Sequence, residues 1–220
     1  GGASCPLLWD NGEYQHCPGG GGVPSGRNGQ QMARAADNFV VRPCEDPTLC
    51  FVEATIWTSG NPNTGFFEVY ANDCRQPASR LFAAPATRAI PLGQSIAIGP
   101  FTVHAYRLQL IQPNWRLEAG RTYWHSAGIT NAGGSINARS YFAVADRCGT
   151  RCDIRISPAW MGTVGTRGDV GWCPAAPDLA FRIFARPAAS SSPVLARKIV
   201  ANGSASLGRS SSVSVMSRRV

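Results

Sequence analysis

Three histidines, thirteen acidic residues and eight cysteines are the side chains of this 220-residue sequence whose chemistry reaches beyond packing. The histidines, His16, His104 and His125, lie in three separate segments, so no two have the i, i+4 spacing of a helical zinc motif. There is no HExxH, no GxSxG and no Asp-rich loop with calcium-binding spacing. Glu53 and Glu68 fall on neighbouring predicted strands and could face one another as a glycosidase pair would. Exposed, solvated sheet positions explain them better, and a half-buried histidine bonded to a neighbour explains His104. The sequence therefore predicts no catalytic residue, no metal ligand and no cofactor, and the chain reads as something other than an enzyme.

The cysteines stand at 5, 17, 44, 50, 74, 148, 152 and 173. They lack the paired CxxC geometry of a zinc ribbon, so disulfides are the better reading. Disulfides place the protein outside the reducing cytosol, secreted to the extracellular space or the cell surface. Local pairing predicts Cys5–Cys17, Cys44–Cys50 and Cys148–Cys152, which leaves Cys74 with Cys173. The opening Gly1-Gly2-Ala3 reads as a processed start or as an imposed boundary.

Six tryptophans are many for one core. Trp124 is expected inside, whereas Trp57 and Trp115 are expected to be partly exposed, where flat rings could form a platform for sugars. Other short matches carry less. The CPGGGG run lacks the Lys-Ser/Thr of a phosphate loop, and Arg167-Gly168-Asp169 is read as a plain turn. Asn202-Gly203-Ser204 is a glycosylation acceptor only in a eukaryotic secreted chain.

These residues must be held by strands. In Cys50–Asp73, Val52, Ala54 and Ile56 alternate with Glu53, Thr55 and Trp57, and Phe67 and Val69 alternate with Glu68 and Tyr70. A side-chain period of two sends each set to one face, leaving one face to pack and the other to meet water. The Ser-Gly-Asn-Pro-Asn-Thr-Gly segment between the runs is a turn. Further runs occur at 38–41, 81–83, 95–98, 101–111, 117–129, 141–144, 152–156 and 178–185, with Gly, Pro, Asn or Ser between them. No helical period appears anywhere. The fold class expected is all-β: an antiparallel, disulfide-stapled, jelly-roll-like β-sandwich.

Composition divides the chain in three. Residues 1–35 form an irregular N-terminal arm clasped by a disulfide, residues 36–185 the sandwich, and residues 186–220 a Ser/Ala-rich tail. The last 35 residues hold six Lys or Arg and no acid, out of a net charge of +8, so the rest of the chain is close to neutral. The tail has no aromatic residue to stack on bases, which excludes it as a nucleic-acid arm. No apolar run is long enough for a membrane span.

The stretches AADNFVV, FVEATIW, FFEVYAND, LEAGRTYW and DLAFRIF together resemble a jelly-roll module of secreted bacterial surface proteins, across roughly residues 36–185. That resemblance implies a sandwich, often placed ahead of a cell-surface anchor. This chain carries more cysteines than the pattern, and its last residues lack a hydrophobic anchor.

The tail is either a disordered extension or a strand donated to the open sheet edge of another copy, through Val194, Leu195, Ile199, Val213 and Val215. Fully extended, 35 residues reach on the order of 115 Å, enough to cross a subunit. The leading expectation is a non-catalytic extracellular structural protein that self-assembles into a surface layer or filament, with itself as partner. The alternative is a carbohydrate-binding module using its exposed aromatics, with a glycan as partner.

Overall fold

Period-two alternation dictates strands, and strands are what the chain forms. The computed structural model describes residues 5–12, 22–43, 46–135, 137–143, 145, 159–165, 170–174 and 178–186. The strands are β1 (Leu7–Asp10), β2 (Gly22–Pro24), β3 (Gly26–Asn28), β4 (Gln31–Val40), β5 (Thr48–Thr58), β6 (Gly65–Asp73) and β7 (Gln76–Pro85). They continue with β8 (Arg88–Ile98), β9 (Phe101–Ile111), β10 (Thr122–Ile129), β11 (Ser140–Ala143), β12 (Trp160–Val164), β13 (Val170–Pro174) and β14 (Phe181–Arg186). The described residues contain no α-helix, only a short 3₁₀ turn at Pro62–Thr64. All of these strands lie in one compact unit, Gly1–Ala189.

Two seven-stranded sheets make the sandwich. In sheet I, β5 is the central strand. One of its edges pairs with β9 along Phe51–Thr58, and the other is shared by β14 and then β11. Beyond these neighbours lie β8, β1 and β2. In sheet II, β10 plays the same part, with β6 on one edge and β4 followed by β3 on the other. This sheet ends in β7 on one side and in β13, beyond β12, on the other. Every pairing is antiparallel except the single β3–β10 bridge. Only glycine fits that bridge, because Gly26 has φ +95° and a Cβ there would stand 2.6 Å from the Ile129 nitrogen.

The inner faces close a core of Phe39, Leu49, Val52, Ile56, Phe67, Leu108, Ile129, Phe142, Phe181 and Ile183, among others. Both outer faces carry a smaller buried cluster of their own. The prediction that one face of β5 meets water is therefore corrected: Glu53, Thr55 and Trp57 are buried as well. Beneath them lies the main core, and beyond β9 in the same sheet lies β8, whose register slips between Pro91 and Ser95. Gly93 in that slip has φ +73°. Leu92, Ile96 and Ile98 of β8 pack onto the cluster that holds Trp57.

Two boundaries move. The predicted irregular arm over 1–35 instead contributes β1, β2 and β3 to the sheets, and β4 begins at Gln31. Their brevity, three or four residues each, hides them from any pattern reading. The Asn61-Pro62-Asn63-Thr64 turn does form, with the Asn61 side chain accepting from the Asn63 nitrogen at 3.1 Å. It is a corner between sheets rather than a hairpin, so β5 and β6 end up in different layers.

Candidate functional site

The outer face of sheet I carries a row of polar side chains in direct cross-strand register: Arg88 on β8, Gln109 on β9, Glu53 on β5 and Arg182 on β14. Each occupies the polar phase of its strand, so alternation alone aims all four away from the core. The row is hydrogen-bonded throughout. Arg88 Nε donates to Gln109 Oε1 at 2.7 Å, and Gln109 Nε2 donates to Glu53 Oε2 at 3.3 Å. Arg182 Nε donates to Glu53 Oε1 at 2.6 Å, and its Nη2 reaches the same oxygen.

One register step further along the outer face stand Thr55 on β5 and, opposite it, Arg107 on β9. Here the slipped part of β8 lifts Leu92 and Gln94 into a lip, while Gly12 and Ala180 close the other side. The result is an open cleft of about 210 Å³ lined by these residues with Glu53, Arg182 and Phe181. Arg107 is half-buried in its wall and has no carboxylate partner among the described residues. The lining groups that carry full charge are thus two guanidiniums and one carboxylate. Such a set can grip an anion and accept from hydroxyl groups at once.

Sheet II has a counterpart without a cleft. Glu68 accepts from Arg34 Nε at 2.6 Å, Arg34 Nη2 at 3.2 Å, Tyr70 Oη at 2.6 Å and Arg80 Nη1 at 2.9 Å. Burial opposes its charge, but the Arg34 bonds and charge, helped by Tyr70 and Arg80, outweigh it and hold the carboxyl below its ordinary value. The Tyr70 hydroxyl is pushed up by burial and by the Glu68 charge. Arg34 also lies 4.1 Å from the centre of the Phe66 ring. Beside this network Trp124, Ala36 and Tyr70 form a buried cluster onto which Trp160 and Trp172 pack. Glu53 and Glu68 therefore neither face each other nor meet solvent, because the β5–β6 corner sends them to opposite outer faces.

The sequence-predicted residues are distributed as follows. Trp57, expected on a sugar platform, is fully buried in the outer cluster of sheet I, onto which Leu92, Ile96, Ile98 and Tyr141 pack. Trp115 is half-buried with its ring stacked on Phe82, centroids 5.4 Å apart, so one of its faces is taken. No platform pairs the two. Trp124 is inside as expected, with Nε1 donating to Asn72 Oδ1 at 2.9 Å. His104 is exposed rather than half-buried, because β9 there runs beyond the main core.

Cys5 is bonded to Cys50. This excludes both Cys5–Cys17 and Cys44–Cys50. The reason is topological: the chain enters beside β14, which lies next to β5, so Cys5 meets Cys50 across 45 residues of sequence. Cys74 and Cys173 are free and exposed rather than paired, since they belong to opposite ends of sheet II. Asp73 holds the Cys74 thiol above its ordinary value through a hydrogen bond and its charge. Cys17, Cys44, Cys148 and Cys152 lie outside the described residues. So do His16, the predicted strand at 152–156, Arg167-Gly168-Asp169, the Asn202 acceptor and the strand-donor positions Val194, Leu195, Ile199, Val213 and Val215.

A scan of protein-family models finds none that matches this chain, and a search of curated proteins finds no match either.

Sequence reasoning missed Arg107, Arg182, Gln109 and the Arg34–Glu68–Arg80 network. A signal was present: each charged residue interrupts an apolar strand in its polar phase, as in HAYRLQL and AFRIF. Two further titratable groups are buried between the sheets. Burial raises Asp37 to about 7 despite bonds from Leu179, Asn38 and Asn11, with nearby Asp178 adding to the rise. Burial lowers His125 to about 3, and its ring lies among Phe67, Phe142 and Phe181. Among the described residues no three of His, Cys, Asp and Glu cluster as metal ligands. No described helix is long and apolar enough to cross a membrane.

Proposed function

We propose that this protein is a non-catalytic extracellular structural subunit that assembles with copies of itself, its C-terminal tail supplying a strand to a neighbour. The observation that carries the reading is the open end of sheet II. Among the described residues β7 has a partner only in β6, although it is ten residues long. Its ends are capped by Pro77 and Pro85 and its register slips on either side of Arg80, which leaves the short edge from Phe82 to Ala84 regular enough to accept one incoming strand. Leu81, in the slip next to that edge, is one of the few large apolar side chains left exposed among the described residues, at 44%. The alternating Ser212-Val213-Ser214-Val215 suits such an acceptor in length and pattern. The Cys5–Cys50 bond supports an oxidising compartment. The likeness of residues 36–185 to secreted surface modules agrees with it.

A strand donated head to tail, with a rotation that does not close, generates open chains of subunits. Sedimentation velocity and electron microscopy of the full chain are expected to show polymers whose length grows with concentration. Deleting residues 187–220 is expected to leave monomers, and Leu81→Lys beside the acceptor edge is expected to shorten the polymers. A full-length protein that stays monomeric at all concentrations rules the proposal out, and unchanged polymers after the deletion remove the tail from it.

A further inference from the structure

We infer that the cleft on the outer face of sheet I is a binding site for a small carboxylate that also carries hydroxyl groups, an acidic sugar of one ring. The inference is independent of assembly through sheet II.

Three observations lead to it. The first is an unmatched cation. Arg182 is engaged with Glu53, but Arg107 lines the same cavity, half-buried, with no acid opposite it among the described residues. A partly desolvated guanidinium favours an anion, and its planar fork fits a carboxylate with two parallel hydrogen bonds.

The second is acceptor capacity left over on the floor. Both lone-pair directions of Glu53 Oε1 are taken by Arg182, whereas Oε2 receives only the Gln109 amide at 3.3 Å. One acceptor position on Oε2 stays available to a ligand hydroxyl. Beside it the Thr55 hydroxyl has no hydrogen bond among the described residues, and Gln94 adds an amide from the lip. Hydroxyl groups on the ligand would meet Glu53 and Thr55 while its carboxylate meets Arg107.

The third is size and charge. At about 210 Å³ the cleft falls below drug-sized sites, which start at about 300 Å³, and suits a single ring. Among the described lining residues, two guanidiniums against one carboxylate leave a single excess positive charge. That balances a monoanion, whereas a phosphate dianion would be pressed against Glu53. Leu92 supplies apolar surface for the C–H face of a sugar ring.

Calorimetric titration of the full chain with sodium glucuronate, glucose and inorganic phosphate tests this. Glucuronate is expected to bind saturably at one site per chain, with glucose and phosphate each at least about tenfold weaker, since losing a charge-assisted pair costs about that factor or more. Arg107→Met is expected to weaken glucuronate by about ten- to a hundredfold with an unchanged circular dichroism spectrum, and Arg107→Lys to lose less. Gln94→Ala, a change on the exposed lip, is expected to weaken it severalfold even if the Arg107 variants fold poorly. Absence of saturable glucuronate binding, equal binding of phosphate or glucose, or affinity untouched by both the Arg107→Met and Gln94→Ala substitutions would overturn the inference. Sedimentation of the same samples keeps this outcome separate from that for assembly.

Discussion

Two carboxylates, Glu53 and Glu68, occupy equivalent places on the outer faces of the two sheets and have been put to different ends. Glu68 receives four donors from three side chains, which fills its acceptor capacity, and tryptophans pack alongside it. Glu53 receives its donors from Arg182 and Gln109, keeps an acceptor position and borders an open cleft. Charge and burial alone do not separate a structural lock from a site. What separates them is whether every lone pair is used and whether the adjoining space is filled.

The largest effect expected is at the lock. Glu68→Gln leaves Arg34 buried without its counter-charge, and urea unfolding should show a loss of about 3 to 5 kcal/mol. The matching Glu53→Gln should lose only about 1 to 2 kcal/mol, because the Arg182 side chain is 25% exposed and can turn toward water. Equal losses would erase the distinction between the two faces.

Next in size is the strap on sheet I. Cys5–Cys50 closes a loop of 45 residues and ties the segment that carries Gly12, on the cleft wall, to β5. Cys50→Ala should destabilise by about 3 kcal/mol, read as a lower urea midpoint. If the strap matters to the cleft as well, the variant should also bind glucuronate more weakly, a change that Glu68→Gln should not produce at temperatures where both remain folded.

A smaller effect comes from the interior that both faces share. His125 is lowered to about 3 when folded and is near 6.5 when unfolded, so the unfolded chain binds more protons between these values. Its contribution is complete above pH 6.5 and is lost progressively as pH falls toward 3. Relative to wild type, His125→Phe should therefore gain about 2 kcal/mol on going from pH 7.5 to pH 5. Asp37, raised to about 7, acts with the opposite sign: the folded state holds the extra proton, and that stability is lost as pH rises from about 4 through 7. Wild-type stability should consequently be nearly flat between pH 5 and 6.5, and a steep wild-type profile there would contradict one of the two burials.

Much of the fold was readable in the chain. The alternations in FVEATIW, FFEVYAND and AFRIF specify strands and the residues they send inward, and β9 runs over Phe101–Ile111, the span its pattern predicts. The short strands β1, β2 and β3 were not readable, because three or four residues are too few to show a period. β12 and β13 went unseen for the same reason, although Trp160 and Trp172 are packed by them. Six tryptophans are too many for one core, but the sequence does not tell how many cores there are; the described residues form three, and Trp57 belongs to one on an outer face.

The sequence by itself determined which residues share a face of a strand, because a side-chain period of two is a property of the backbone and needs no neighbour. It thereby settled the class of fold and placed Glu53, Arg107, Gln109 and Arg182 in polar phases. Tertiary structure alone decided which strands lie side by side, and so which cysteine meets Cys5, which arginine meets Glu53 and whether an outer face stays open. Those pairings join residues tens to more than a hundred positions apart. They depend on the corner after β5 and on the slip in β8, small backbone events whose consequences appear only once the sheets are assembled.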